Sequence, residues 1–255
     1  AMTRFLPSRN TLSCCLALYS CNRYVWRSPN EKEHRLCMAD TDLFDIMYSC
    51  RSMRRLKPDP VPLALIYKVI EAGTQGPSGG GVQAWRFVVV TEAKQKGQIA
   101  ELYQRGWRAA EATYAKAGLT PDNSKNVGAA AYLAEHLAEA PVLLIPCLRS
   151  RKSHQERLEG PDRDTFLRIL GSSIYPAVQN ILLACRALGL GASLTTITTL
   201  AEDGMRKILD LPDFITTQAL IPIGYPKGKF GPVTRRPAEE VAWLNRYGEV
   251  FPKPD

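Results

Sequence analysis

The chain changes from loop to strand within one stretch, Gly76-Pro77-Ser78-Gly79-Gly80-Gly81-Val82-Gln83-Ala84-Trp85-Arg86-Phe87-Val88-Val89-Val90. Its first half has almost no side chains, so backbone N–H groups there can approach a ligand closely. Its second half is an apolar run that is typical of a buried strand. The stretch therefore predicts a loop that binds a ligand through its backbone and leads directly into the core.

The same letters contain a G-x-S-x-G pattern from Gly76 through Ser78 to Gly80. In serine hydrolases this pattern has a strand before the serine and a helix after it. Here the order is reversed, because Leu63–Gly73 has the apolar spacing of a helix and Arg86–Thr91 that of a strand. The pattern disfavours a hydrolase, and a purely structural turn remains the ordinary alternative to a ligand-binding loop.

The composition is that of a globular protein with a substantial core. The chain has 255 residues, of which 45% are hydrophobic and 23% charged, and its net charge is +8. The basic residues are scattered, so a solvated basic surface or the attraction of an anionic small molecule such as a nucleotide explains the charge. Zinc-finger spacing, an RNP-like pattern and a basic region with heptads are absent from the sequence, which argues against nucleic-acid binding.

Seven cysteines without a C-x-x-C pair favour reduced thiols over a disulfide framework or a zinc site. The sequence has no apolar run long enough to cross a bilayer. We therefore expect a cytoplasmic protein with no metal ion and no membrane contact. Residues 1–40 mix basic residues with a short apolar run, Leu12–Tyr19, and lack a clean signal-peptide cleavage site. We expect them to be a poorly ordered or accessory extension, followed by one domain over 41–255.

Beyond residue 41 the apolar spacing predicts helices that alternate with strands. Predicted helices follow Asp42 and span 63–73, 93–116, 129–138, 174–188 and 201–209; predicted strands span 86–91, 142–148, 192–196 and 219–225; a charged, exposed loop is predicted over 149–164. Uneven connections favour an α+β fold with a mixed sheet flanked by helices. The tail from Lys227 to Asp255 is rich in aromatic residues, so we expect it to pack on another surface.

Several short motifs occur in a fixed order along this pattern. They are Arg51-Ser52-x-Arg54, the Pro77–Gly79 loop ending in Gln83-x-Trp85-Arg86-Phe87, Gln179-Asn180-Ile181-Leu182-Leu183-Ala184 leading to Gly189-Leu190-Gly191, Ile223-Gly224-Tyr225-Pro226, and Arg235-Arg236-Pro237. Together they resemble the FMN-dependent nitroreductase superfamily, over about Asp42 to Gly248. The resemblance implies an intertwined homodimer with FMN at the subunit interface and the C-terminal extension wrapped around the partner.

The resemblance also implies which residues bind FMN. Arg51 and Arg235 would bind the phosphate with Ser52 beside them, and Arg54 would lie at the N1–C2 edge of the flavin, where negative charge collects on reduction. Thr195 and Thr196 would place an N–H or hydroxyl near N5. The full set is Arg51, Ser52, Arg54, Pro77, Ser78, Gly79, Leu194, Thr195, Thr196 and Arg235, with the three loop residues supplied by the partner chain.

Two positions depart from the superfamily pattern. Gly81 stands where Asn is usual, and Ala84 stands where Pro is usual before Trp85. Loss of the Asn side chain removes one hydrogen bond to the cofactor, so the loop would rely on its backbone. Residues 103–126 are expected to form a lid over the flavin, with Tyr103, Trp107 and Tyr114 as candidates for aromatic stacking. For any one of these three residues, structural packing is the favoured alternative.

The activity that the resemblance implies is a ping-pong oxidoreductase. NADPH or NADH would pass hydride to FMN, and a nitroaromatic or quinone-like acceptor would then take the electrons. No catalytic side chain is required, because the cofactor carries the chemistry. Reductive dehalogenation and flavin modification occur in the same superfamily, and a hydroxyl near N5 would favour the one-electron steps of dehalogenation. A flavin-binding protein without turnover is the alternative from a different class.

Overall fold

The computed structural model describes residues 42–118, 124–149 and 160–253. The extension predicted over residues 1–40 lies outside these ranges, as do residues 119–123 of the predicted lid. No helix in the described ranges combines the length and the apolar character needed to span a membrane.

Six α-helices and five β-strands form the described part of the chain. The helices are α1 (Leu43–Ser49), α2 (Leu63–Gly73), α3 (Ala93–Lys116), α4 (Ser124–His136), α5 (Gly160–Ala187) and α6 (Glu202–Leu209). The strands are β1 (Trp85–Val90), β2 (Val142–Arg149), β3 (Gly191–Ala192), β4 (Ile215–Thr217) and β5 (Ile221–Gly224). Short 3-10 turns occur at Gly79–Gly81, Leu137–Glu139, Ile197–Ala201 and Ala238–Glu240.

The strands form one sheet in the order β1-β2-β5-β3, and β4 pairs with the other end of β2. All pairings between these strands are antiparallel, so the predicted mixed sheet is wrong for the described residues. The reason lies in the connection from β1 to β2, which contains two helices that pack on each other, α3 and α4. If one helix joined β1 to β2, the chain would return to run parallel to β1. The second helix reverses the direction of the chain, so β2 runs antiparallel to β1. The predicted α+β class is confirmed.

Strand β2 lies at the centre of the sheet and is buried on both faces. Leu144 and Leu148 pack into one core cluster with residues of α2 and α5, such as Ile66 and Ile181. The alternate residues, such as Ile145, pack into a second cluster with residues of α3 and α6. Because successive side chains of a strand point to opposite faces, helices cover the sheet on both sides.

The helix predictions succeed best where the sequence carries a stop signal. Both predicted bounds of α2 are confirmed, with Pro62 before it and Gly73 at its end. Helix α5 instead begins at Gly160, well before the predicted start at residue 174, and it runs through Pro176. A proline fits most easily in the first turn of a helix, which is why pattern analysis places a start just before it. The loop predicted over 149–164 is therefore wrong for Arg149, which ends β2, and for 160–164, while residues 150–159 lie outside the described ranges.

The other strand predictions need smaller corrections. Strand β3 covers only Gly191–Ala192, and Thr195 forms an isolated bridge with Leu220 in place of the longer predicted strand. Strand β4 was absent from the predicted elements, because three residues are too few to show a period.

The C-terminal tail runs over the surface of the chain. Its Val233 N–H donates to the Tyr48 carbonyl at 2.9 Å, which ties the tail to the end of α1. Further along, Trp243 and Tyr247 pack against each other with ring centroids 4.4 Å apart, and 88% of Tyr247 is exposed. Wrapping of this tail around a partner chain stays a prediction.

Candidate functional site

The arginines of the first motif are carried by an extended segment, residues 51–57, beside the sheet. Within it, Met53 N–H donates to Ala192 O at 2.9 Å, and Lys57 N–H donates to Tyr225 O at 2.7 Å. The segment lies close because Gly191 has no side chain: a Cβ there would stand 2.8 Å from Leu56 Cδ2, a distance that would force the segment away. Gly191 thus determines how close the segment that carries Arg54 lies to the sheet.

Arg54 is a half-buried cation. Burial lowers the pKa of its guanidinium, because desolvation disfavours the charge, while nearby Tyr103 raises it. Within the described ranges no carboxylate lies at ion-pair distance from Arg54. Arg54 and Glu139 line a small cavity together. Glu139 does not pair with Arg54 but accepts a hydrogen bond from His136 at 2.6 Å. A half-buried charge without a counter-ion suits an anionic ligand.

Tyr103 lies beneath this position, in the core of the protein. Only 2% of it is exposed, and its hydroxyl lies 3.1 Å from Thr195 Oγ1. Burial raises the pKa of the phenol, against the opposing effects of the Thr195 hydrogen bond and Arg54, so the group is neutral at neutral pH. Of the two roles expected for Tyr103, structural packing is therefore the one that the structure supports, and stacking from a lid is not. It shares the inward face of α3 with Ile99 and Leu102, at the spacing that turns one helix face to a core.

The two threonines predicted near N5 have different environments. Thr195 N–H donates to Leu220 O at 3.0 Å, and its hydroxyl is engaged by Tyr103. Thr196 is exposed, and neither its N–H nor its hydroxyl has a partner among the described residues. Leu194 is half-buried and packs on the core. Of the two threonines, Thr196 is therefore the one whose N–H and hydroxyl have no partner within the described ranges.

The predicted phosphate ligands lie on two segments that the fold ties together. Arg51 and Arg235 are both exposed, and the bond between Val233 and Tyr48 brings the tail to the end of α1, close to Cys50. Burial raises the pKa of the Cys50 thiol, while Arg186 and Arg235 lower it. Both of these arginines therefore lie near the residue that precedes Arg51. Ser52 is exposed beside them.

Sequence reasoning missed Arg186. Its Nε donates to Ser49 Oγ at 2.9 Å, and its guanidinium lies 4.3 Å from the centroid of the Phe230 ring. It therefore joins α5 to α1 and to the tail, at the place where Arg51 and Arg235 approach. Arg186 is the single charged residue of the helix predicted over 174–188, and this isolated charge was the signal that could have found it.

The glycine-rich loop, Gly76–Gly81, is shaped by residues with positive φ. Gly80 and Gly81 have φ of 58° and 66°, a region that glycine and, less readily, asparagine adopt. The Gly81 departure from the superfamily pattern therefore keeps a backbone that Asn also tolerates. A Cβ at Gly81 would meet nothing within 4 Å, so this side of the loop is open.

Ser78 is not poised as a nucleophile. Its hydroxyl accepts a hydrogen bond from Gln83 N–H at 2.9 Å, and the loop stands between helix α2 and strand β1, in the reverse of the hydrolase order. The neighbouring Gly79 N–H donates to Ser173 Oγ of α5 at 3.2 Å. The loop thus packs on α5, whereas Arg54 and Thr195 are joined to α3 through Tyr103. That Pro77, Ser78 and Gly79 contact a flavin held by another chain stays a prediction.

The sequence and the fold are similar to those of known proteins. The sequence model of the Nitroreductase family matches residues 48–225. A protein of Methanothermobacter thermautotrophicus named "Putative NADH dehydrogenase/NAD(P)H nitroreductase" is 28% identical over 187 residues, which are 72% of this chain and 78% of that protein. The iodotyrosine deiodinase of Thermotoga neapolitana is 27% identical over 200 residues, covering 78% of this chain and 95% of the deiodinase.

A solved structure from Parabacteroides distasonis bears the same name as the archaeal relative. It superposes with a TM-score of 0.58 at 26% identity, covering 80% of this chain and 98% of that structure. The range that the family model matches contains the motif residues from Arg51 to Tyr225, whereas Arg235 lies beyond it. Since the family match spans well over half of the sequence, this chain belongs to the nitroreductase family.

Proposed function

We propose that this protein is an FMN-dependent oxidoreductase that uses NADPH or NADH to reduce nitroaromatic or quinone-like acceptors in a ping-pong reaction. The observation that carries the proposal is Arg54, a half-buried guanidinium with no carboxylate at ion-pair distance in the described ranges. Family membership supports an oxidoreductase, and the name of the archaeal relative supports a nicotinamide nucleotide as electron donor.

The residues present fit FMN. A dianionic phosphate suits the planar, permanently charged guanidinium groups of Arg51 and Arg235, and Arg186 adds a third positive charge near Cys50. Thr196 offers an N–H and a hydroxyl at the end of the bridge with the sheet. When bound, FMN supplies the electron transfer, since it accepts two electrons from the nucleotide and donates them to the acceptor.

Arg54 would stabilise the reduced flavin by its positive charge. Its charge would stabilise negative charge at the N1–C2 edge of the ring, and partial burial strengthens such an interaction by excluding water. The buried bonds around Met53 fix the backbone that carries it, so the charge is held in place before the ligand arrives. This kind of preorganisation lowers the cost of stabilising charge during the reaction.

We further propose that the protein works as a homodimer. Helix α1 exposes Leu43, Phe44, Met47 and Tyr48, each at 42% or more of its surface, although it packs on α5 with its other side. The tail exposes further aromatic side chains, and contiguous exposed apolar surface is typical of a protein–protein contact. A second copy of the chain would cover it and would bring the partner's glycine-rich loop to the arginine site.

The proposal is tested with the purified full-length chain. We expect an absorption spectrum with the bands of bound oxidised flavin, steady oxidation of NADPH or NADH when a nitroaromatic or a quinone is added, and a dimer in sedimentation. Bound flavin without nucleotide oxidation would eliminate the reductase in favour of a flavin-binding protein. A colourless chain that does not take up added FMN would refute the proposal as a whole.

A second candidate, reductive dehalogenation, is favoured by the exposed Thr196 hydroxyl and by the likeness to the deiodinase of Thermotoga neapolitana. In that reaction a carbon–halogen bond accepts two electrons and one proton, and the halide leaves. Release of iodide from an iodinated phenol by the pre-reduced protein would identify it. A kcat/KM that is higher for iodinated phenols than for nitroaromatics would place this activity first.

A further inference from the structure

We infer that Tyr103 is a positioning residue of this site: its hydroxyl holds the Thr195 hydroxyl inside the protein, beside Arg54, and so leaves Thr196 to face the ligand. The inference rests on the proposed function, because it concerns residues that would contact the flavin. It assigns a role in the site to helix α3, which carries none of the motif residues.

The Tyr103 hydroxyl lies in an apolar part of the core, where a polar group requires a hydrogen-bond partner. The side chain is 2% exposed, in a cluster with Ile99, Leu102 and Leu133, and a phenylalanine would fill this space equally well. A buried hydroxyl without a partner costs about 1–3 kcal/mol. The hydroxyl finds its partner in Thr195 Oγ1 at 3.1 Å, 92 residues away in the chain.

The backbone at Thr195 and the contact with Tyr103 together direct the side chain of the next residue. Thr195 is bridged to Leu220 by two backbone hydrogen bonds, of 3.0 and 2.8 Å, so the chain is extended there. In an extended chain neighbouring side chains point to opposite sides. A Thr195 side chain that is held inward therefore turns Thr196 outward, where it is exposed.

Tyr103 also lies close to Arg54. The two side chains lie near enough for each to affect the ionisation of the other. The Tyr103 oxygen is thus a polar neighbour of the Arg54 guanidinium, which has no carboxylate at ion-pair distance in the described ranges. One buried side chain of α3 contacts Thr195 and adjoins Arg54, and these two residues come from segments that are far apart in sequence.

The test uses the full chain loaded with FMN and compares Tyr103→Phe with Tyr67→Phe. Tyr67 is an exposed tyrosine of α2, so its variant controls for the loss of a phenol hydroxyl. For Tyr103→Phe we expect FMN to bind at the wild-type stoichiometry, the flavin reduction potential to become more negative, and kcat to fall about threefold to tenfold, as the loss of one net hydrogen bond implies. The KM for the nucleotide should change by less than about twofold, since the hydroxyl does not contact it.

A double-mutant cycle separates positioning from packing. Thr195→Val removes the other hydroxyl at nearly constant volume, and the double variant should fall no further than the worse single variant, because both changes break one contact. Tyr103→Phe with wild-type reduction potential and kcat, or effects that add fully, would overturn the inference while the proposed function stands. A wild-type chain that binds no FMN would instead overturn the proposed function, and this inference with it.

Discussion

Gly76 of the glycine-rich loop and Ala177 of helix α5 are in backbone contact: a Cβ built on Gly76 would stand 2.9 Å from the Ala177 amide nitrogen and 3.0 Å from its Cα. Neither atom can move without displacing the helix. The loop is thereby held against α5, and the adjoining Gly79 N–H bond to Ser173 adds to this attachment.

The first prediction follows from that contact. Gly76→Ala should lower the free energy of unfolding by about 1–3 kcal/mol, since it overpacks backbone against backbone. Gly97→Ala is the matched control, because Gly97 lies inside α3 with nothing within 4 Å of its Cβ position; it should raise stability by about 1 kcal/mol. Urea unfolding followed by circular dichroism measures both. Equal effects of the two substitutions would contradict the packing argument.

The second prediction concerns Arg54. Arg54→Met should lower kcat about tenfold to 100-fold, because a charged donor at the site is lost. The variant without FMN should be at least as stable as the wild type, since a half-buried charge without a counter-ion is removed. Steady-state kinetics and thermal unfolding without FMN provide the two measurements.

Arg55→Met is the control for that experiment. Arg55 is exposed and lies 3.9 Å from the centroid of the Tyr132 ring, so its loss should cost about 0.5–1 kcal/mol of stability and leave the flavin reduction potential unchanged. If Arg55→Met were the variant that loses activity, the assignment of Arg54 to the flavin edge would be wrong.

The third prediction separates the phosphate from the flavin ring. Arg51→Gln and Arg235→Gln should each weaken FMN binding about fivefold to tenfold, because each removes a charge-assisted contact. Their affinity for riboflavin, which has no phosphate, should stay at the wild-type level. Fluorescence titration with both ligands measures this, with Lys207→Gln on the exposed surface of α6 as the control for loss of one positive charge. A parallel loss of riboflavin affinity would refute the phosphate role.

The fourth prediction is a pH dependence at the start of α3. The Glu92 carboxylate accepts hydrogen bonds from Gln95 N–H at 2.6 Å and Lys94 N–H at 2.9 Å, and these bonds lower its pKa. A folded-state pKa below the unfolded value gives stability that is present above the unfolded pKa and is lost as the pH falls through the folded one.

Glu92→Gln should therefore melt at a lower temperature than the wild type at pH 7, and the two melting curves should converge as the solution is acidified through the depressed pKa of Glu92. Glu101→Gln, on the exposed side of the same helix, controls for the loss of one negative charge. A difference in melting temperature between wild type and Glu92→Gln that persists in acid would show that the carboxylate does not cap the helix.

Much of the fold could be predicted because local signals are strong where they decide the structure. Pro62 and Gly73 bound α2, and the amphipathic spacing of α3 gave both its ends. The antiparallel order of the sheet could not be predicted, because it depends on how α3 and α4 pack. The start of α5 was missed because its first turns precede Pro176 and carry mainly polar residues.

The site could be predicted only as far as its motifs reach. The motifs named Arg54 and Thr196 as candidate ligands, whereas no motif pointed to the contacts that Tyr103 and Arg186 make. Their roles depend on contacts with Thr195 and Ser49, which are 92 and 137 residues away in the chain. Spacing along a sequence does not encode contacts of this range.

The segment over residues 51–57 is joined to the rest of the protein by few backbone bonds: Met53 to Ala192, Lys57 to Tyr225, and Lys227 back to Arg55. Strand β2, in contrast, pairs with strands on both of its sides. On warming, residues 51–57 can therefore detach from the sheet while β2 and its neighbouring strands stay folded. The protein should release its coloured ligand several degrees before its helices melt, and amide exchange at Met53 should be faster than at Leu144.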